Sequence, residues 1–319
     1  MLDAPDSAPE LAIEIREACQ NTGFFYVIGH GVSQELMTRL EKLSEEFFAQ
    51  TIEIKRKIHM SLGGLAWRGY FSVGEELTSG TVDQKEGLYF GAEHSPNHPK
   101  VLRGTPLHGA NLFPDIVDFR KTVLEYMKAM TNLGHRLMRG IALSLKLDPE
   151  YFRNQYRDEP TILFRIFNYP GFQSSETQSH WGVGEHTDYG ILTILKQDCS
   201  GGLQVKTGQT WLAVPAIPGS FVINLGDMLE RMTNGLYRST PHRVQNQKNS
   251  RLSWPFFFDP HFDAKVQTVI PKTTGTELES ESWDGCNVHK FQGSYGEYLL
   301  SKVKKVFPKL GENVLPRPR

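Results

Sequence analysis

The period of the apolar positions changes once along the chain, near residue 160, and the elements it predicts change with it. Residues 24–28, aromatics followed by Val27 and Ile28 and bounded by glycines, read as a short buried strand. Ser33 then precedes Leu36, Met37, Leu40, Leu43, Phe47 and Phe48 at helical spacing, with Glu35, Arg39, Glu41 and Glu45 on the opposite face, so a helix follows. Residues 61–114 are rich in Gly, Pro and turn formers and read as long loops, with one short strand at 88–90. Helical period returns over 117–147 through Leu124, Met127, Leu133, Leu137, Ile141 and Leu145, and the interruptions at Gly134 and Gly140 predict two helices.

Beyond Pro160 the texture becomes short β-type segments separated by turns, at 161–168, 191–197, 202–206, 211–217, 220–225, 237–244 and 251–258. Seven such segments at even spacing predict an antiparallel barrel or jelly roll. Asn234-Gly235 reads as a hairpin turn between two of them, and an amphipathic stretch at 295–307 as a helix packed outside. No internal repeat or long linker divides the chain. One domain over 1–319 is expected: a helical and loop portion at 1–150, a jelly-roll core at 160–262 and a C-terminal helix at 293–307.

Composition narrows the function classes. With 319 residues, 39% hydrophobic and 22% charged, the chain can bury a sizeable core and is neither disordered nor coiled coil. A net charge of -1 without a basic block gives no support to a nucleic-acid or membrane surface; the expected partner is a small molecule and the expected state a monomer. Cys19, Cys199 and Cys286 are odd in number and share no CxxC spacing, which suits a reducing cytoplasm. The acidic, proline-bearing start at 1–10 is unlike a secretory leader, and no apolar run approaches a membrane span.

Candidate chemistry lies in the β region. His186-Thr187-Asp188 is followed fifty-four residues later by His242. Two imidazoles and a carboxylate are the set that non-haem Fe(II) oxygenases use, because three protein ligands on one face leave positions for substrate-derived ligands and dioxygen. Alternation along a strand would place His186 and Asp188 on one side. A second His-x-Asp, His261-Phe262-Asp263, is read as a decoy: His289 alone among histidines lies beyond it, and no Arg-x-Ser follows. Arg251-Leu252-Ser253, nine residues after His242, can clamp a carboxylate through a guanidinium fork and a hydroxyl.

These residues resemble the 2-oxoglutarate and Fe(II)-dependent oxygenases of the isopenicillin N synthase-like branch. The resemblance runs from Gly23–Gly31 through Tyr169-Pro170 and His186-Thr187-Asp188-Tyr189-Gly190 to Asn224-Leu225-Gly226-Asp227, His242 and Arg251-Leu252-Ser253. It implies a double-stranded β-helix, mainly β with flanking α-helices. It also implies His186, Asp188 and His242 as ligands of Fe(II), and Arg251, Ser253 and Tyr169 as holders of 2-oxoglutarate, with dioxygen as co-substrate. The implied reaction is oxidative decarboxylation of 2-oxoglutarate to succinate, coupled to hydroxylation or desaturation of a small molecule. Two departures stand out. Residues 1–12 lack the short first strand usual in the family, and Phe167 stands where many members have Asn. Gly226-Asp227 reads as a strand-end turn.

The segment 67–86 corresponds to the mouth of the site and carries Arg68, Tyr70, Glu75, Glu76, Asp83 and Glu86. An acid-rich wall there, with Arg68, Tyr70 and Glu86 as substrate residues, would favour a cationic substrate. The wording of 186–192 and 218–229 resembles the branch that hydroxylates homoarginine, a basic amino acid. Three alternatives remain: oxidation without 2-oxoglutarate on the same fold, a non-catalytic metal-binding sensor, and a zinc hydrolase, which would leave Arg251 unexplained.

Overall fold

A computed structural model describes residues 8–78, 80–155, 159–171, 181–270 and 287–308. The elements, in chain order, are α1 (Ala8–Asn21), β1 (Phe24–Val27), α2 (Gln34–Phe48), α3 (Ile52–Lys55), β2 (Gly69–Phe71), β3 (Leu77–Thr78), β4 (Thr81–Val82), β5 (Glu86–Gly91), α4 (Pro99–Leu102), α5 (Phe119–Ser144), α6 (Tyr151–Gln155), β6 (Thr161–Tyr169), β7 (Trp181–His186), β8 (Leu192–Gln197), β9 (Leu203–Thr207), β10 (Thr210–Ala213), β11 (Phe221–Leu225), α7 (Asp227–Met232), β12 (His242–Gln245), β13 (Arg251–Asp259) and α8 (Tyr295–Val306).

Seven strands form an antiparallel sheet in the order β1-β11-β8-β13-β6-β5-β2, and β10-β9-β12-β7 form a second sheet of four. Side chains alternate across each strand, and this fixes what the larger sheet does. Leu163, Arg165, Phe167 and Tyr169 of β6, with Arg251, Ser253, Pro255, Phe257 and Asp259 of β13, line a cavity shared with β7 and β12. The intervening Phe164, Ile166, Trp254 and Phe256 are fully buried on the other face, where α5 lies against β8 and β13. The jelly roll expected from the even spacing of segments is therefore present as two facing sheets with helices outside.

Several sequence expectations change. Helix α1 occupies part of the start, where no element was expected; Ala12, Ile15 and Cys19 pack inward from it. Residues 1–7 and Cys286 lie outside the described residues. The short strand expected at 88–90 is present as the longer β5, which joins the central sheet beside β6, whereas β2, β3 and β4 fall where only loops were expected. Strand β7 was not expected at all, because Gly182 and Gly184 dilute its apolar pattern. The pair Asn234-Gly235 does not turn a hairpin: both have positive φ, 48° and 74°, and they end α7.

The two helices expected over 117–147 are one, α5, without a break at either glycine. A Cβ at Gly134 would stand 2.5 Å from the ring of Phe258, so this glycine lets the helix reach the sheet. Alanine would recover about 1 kcal/mol of helix propensity, but overpacking a core costs about 1–3 kcal/mol. Gly134→Ala is therefore expected to lower the thermal midpoint, measured by circular dichroism; an unchanged or higher midpoint would contradict this packing.

Candidate active site

His186 is the last residue of β7 and pairs directly with His242, the first of β12. Asp188 lies just past the strand end, so the turn and not strand alternation brings it round, contrary to the expected reading of the His-x-Asp spacing. That turn is held from behind: the Asp227 and Met228 N–H groups at the start of α7 donate to the carbonyls of Asp188 (2.8 Å) and Gly190 (2.9 Å). Glycine is required on both sides of this crossing, since a Cβ at Gly226 would sit 2.4 Å from the Gly190 carbonyl oxygen and one at Gly190 would collide with Asp259. Gly226-Asp227 is thus more than a strand-end turn. Asp227 itself accepts from Ser239 and from Tyr298 of α8, each at 2.8 Å, and burial pushes its carboxyl up to about 6.

Ligand atoms of His186, Asp188 and His242 all lie within 4.8 Å of one another. Each polar atom not needed for a metal is already occupied. His186 Nδ1 faces the Gly184 carbonyl at 2.8 Å and His242 Nδ1 the Thr240 carbonyl at 3.1 Å. A carbonyl only accepts, so both Nδ1 atoms carry a proton and both Nε2 atoms are left to face Asp188. Asp188 Oδ2 accepts from Thr193 Oγ1 and from Asn224 Nδ2 (2.6 Å), and Oδ1 stands 3.8 Å from His186 Nε2 and 3.7 Å from His242 Nε2. Burial, then the neighbouring His242, lower His186 to about 3, so it is neutral at physiological pH. Burial alone would raise the Asp188 carboxyl, but His242, His186 and the two hydrogen bonds outweigh it and lower it. Two imidazole nitrogens and a carboxylate oxygen, converging on one point, fit a divalent transition metal, with ligand orientation fixed by the surrounding hydrogen bonds.

Across the same cavity, Arg251 is 2% exposed and pairs in register with Tyr169. Its guanidinium lies 4.7 Å from the Tyr169 ring centroid. Nη2 donates to Gln197 Oε1 at 3.2 Å, while the buried Nε and Nη1 have no hydrogen-bond partner among the described residues. Ser253, two residues on, shares the face. Unpartnered buried donors are costly, and a carboxylate would satisfy them. Leu195, Leu203, Val183 and Val244 close the remaining wall, so the Arg251 end fits a small dicarboxylate with an apolar middle.

The decoy lies elsewhere: Lys100 Nζ stands 2.7 Å from His261 Nε2 and 3.3 Å from Asp263. A further trio, His94, His98 and Glu159, has metal-ligand spacing, but it is a poor place for a cation. Burial, then Arg68, His98 and Lys100, lower His94 to about 4.

The expected substrate residues Arg68, Tyr70 and Glu86 do not line the cavity. Arg68 is spent on the carbonyls of Ala66, Ala92 and Leu107 and on Asn111. Glu86 receives Tyr70, Lys55 and Asn168. The cause is alternation: Glu86 and Leu88 point away from the cavity, whereas Lys85 and Tyr89 point into it. Sequence reasoning missed Arg165, Lys85, Thr193 and Asn224. Counting back by two from Tyr169 would have found Arg165 on the cavity face.

The comparisons agree with this geometry. A family model described as the 2OG-Fe(II) oxygenase superfamily matches residues 152–260, and one described as the N-terminal part of a non-haem dioxygenase in morphine synthesis matches 1–116. A probable iron/ascorbate oxidoreductase of Dictyostelium discoideum is 51% identical, over 95% of this chain and 90% of its own. Homoarginine-6-hydroxylase of Arabidopsis thaliana is 36% identical, over 96% and 93%. The crystal structure of a full-length Neurospora crassa protein in complex with alpha-KG superposes with a TM-score of 0.77 at 27% identity, covering 94% of this chain and 92% of that one. The chain belongs to the 2-oxoglutarate and Fe(II)-dependent oxygenase superfamily.

Proposed function

We propose that His186, Asp188 and His242 hold the Fe(II), that Arg251, Ser253 and Tyr169 hold 2-oxoglutarate, and that the enzyme hydroxylates a small molecule. One observation carries this reading: three prearranged ligand atoms and a buried guanidinium, two of whose nitrogens have no hydrogen-bond partner among the described residues, share one cavity. Iron, 2-oxoglutarate and dioxygen together supply an oxidant able to attack an unactivated C–H bond, releasing succinate and carbon dioxide.

The chain's own residues contribute placement. Asn224 and Thr193 keep Asp188 turned so that one oxygen faces the two histidines. Arg251 fixes one end of the co-substrate, and Leu195, Leu203 and Val183 exclude water around its middle. Helix α8 contributes Leu299, Val303 and Val306 to the cavity lining. Basic amino acids, the class named in the homoarginine-6-hydroxylase relatives, are the first substrates to test. The reading is of a monomer in the cytoplasm. Cys19 and Cys199, both free, suit the cytoplasm, and no helix among the described residues is long and apolar enough to cross a membrane.

The test is succinate release from 2-oxoglutarate with Fe(II), alone and with arginine, homoarginine and lysine against neutral and acidic amino acids. Slow succinate formation without substrate, stimulated by a substrate, is expected. Oxygen consumption without succinate would favour the 2-oxoglutarate-independent alternative, and neither would leave the sensor.

A further inference from the structure

We propose that the substrate carries a carboxylate and that Arg165, at the opposite end of the cavity from Arg251, receives it. The inference rests on the oxygenase reading above and adds the chemistry of the second ligand.

The geometry separates two guanidinium positions. Arg165 and Tyr169 face the same cavity from β6, four residues apart, which at about 3.3 Å per residue is roughly 13 Å. One carboxylate of a compact co-substrate cannot reach both. Arg165 stands beside Tyr89 in register, with its guanidinium carbon 3.9 Å from the Tyr89 ring centroid and 5.0 Å from that of Phe257. The two rings fix the plane of the fork. Its buried Nε has no hydrogen-bond partner among the described residues.

The acids near Arg165 all have other donors, and only Glu76 among them also pairs with Arg165. Glu76 lies 3.8 Å from Arg165 Nη1 but only 2.8 Å from Lys85 Nζ, which also pairs with Asp83. Tyr89 donates to Glu76 as well. Asp259, the other carboxylate at this end, accepts from the Ile191 N–H and from Tyr295. Glu75 takes the Ser72 N–H (2.7 Å) and His59 (3.0 Å), and Glu86 takes Lys55. The acid-rich wall expected from the sequence is thus held by donors within the protein, while Arg165 keeps one buried nitrogen without a hydrogen-bond partner among the described residues.

A second donor supports the same chemistry. Trp67 lines the cavity and is 3% exposed, yet its indole Nε1 has no hydrogen-bond partner among the described residues. Its backbone is left-handed, φ 59° and ψ 48°, a conformation costly for a bulky residue and kept where surrounding structure demands it. A guanidinium Nε and an indole N–H, both buried and without a hydrogen-bond partner among the described residues, suit an acceptor with negative charge. An amino acid meets this requirement through its α-carboxylate, so a basic amino acid would be held by its acid end.

The experiment compares acids with their methyl esters on the Fe(II)-loaded enzyme with 2-oxoglutarate: L-homoarginine and its methyl ester, and indole-3-acetate and its methyl ester. At least one acid is expected to stimulate succinate release, with its ester at least tenfold less effective. Arg165→Met should raise the KM for that acid about 10- to 100-fold, the size of a lost hydrogen bond between charged groups, and shift the KM for 2-oxoglutarate less than twofold. Arg165→Lys should recover part of the loss. An ester as effective as its acid, an unchanged KM in Arg165→Met, or no stimulation by either acid while substrate-free succinate release continues would overturn the inference. Absence of succinate under every condition would remove the oxygenase reading and the inference with it. Should Arg165→Met melt early, the ester comparison on the unsubstituted enzyme still decides.

Discussion

Asp188→Ala is expected to abolish 2-oxoglutarate turnover, by more than the 10- to 100-fold that loss of a residue merely supporting a metal ligand produces, while the protein stays folded. The carboxylate is 8% exposed and fills no apolar volume. What it does is turn one oxygen toward two imidazole nitrogens. Removal leaves His186 and His242 without their negative partner, and Asn224 Nδ2 and Thr193 Oγ1 without an acceptor. That second loss costs about 1–3 kcal/mol per unsatisfied buried group, so the thermal midpoint should fall modestly. Asn224→Ala should show the intermediate case, with weaker iron retention and residual succinate formation. Circular dichroism beside the succinate assay separates the two effects; full turnover in folded Asp188→Ala would sink the ligand assignment.

Arg251→Lys is expected to raise the KM for 2-oxoglutarate by about 10- to 100-fold, the equivalent of roughly 1.5–3 kcal/mol for a hydrogen bond to a charged group. Lysine keeps the charge but not the planar fork, and it loses the stacked position against Tyr169. Ser253→Ala removes one hydroxyl and should do less. The KM for the organic substrate should hardly move, since the strand between Tyr169 and Arg165 separates the two ends. An unchanged 2-oxoglutarate KM in Arg251→Lys would move the co-substrate elsewhere.

The parts of the site readable from sequence were those in which spacing along the chain equals geometry in space. Arg251 and Ser253 share a face because they are two apart on one strand, and the Tyr169 pairing follows from β13 lying beside β6. The triad was readable as a residue set, although its stated cause was incomplete: a turn braced by α7 places Asp188. Other features depended on partners distant in sequence. Gly134 reads as a helix breaker until Phe258 is known to lie against it. Asn234-Gly235 supplies left-handed backbone, which a hairpin and a helix end need equally. The acids of 67–86 could be counted but not assigned to a face, and their pairing with Lys55 and Lys85 needed the fold.

The central claim is most directly tested by anaerobic Fe(II) titration, followed by calorimetry, of the unsubstituted protein, Asp188→Ala and His261→Ala in parallel. One equivalent of iron should bind the unsubstituted protein and His261→Ala with the same affinity, and Asp188→Ala should bind none at matched concentration. Retained binding in Asp188→Ala, or loss of it in His261→Ala, would contradict the assignment of the site to His186, Asp188 and His242.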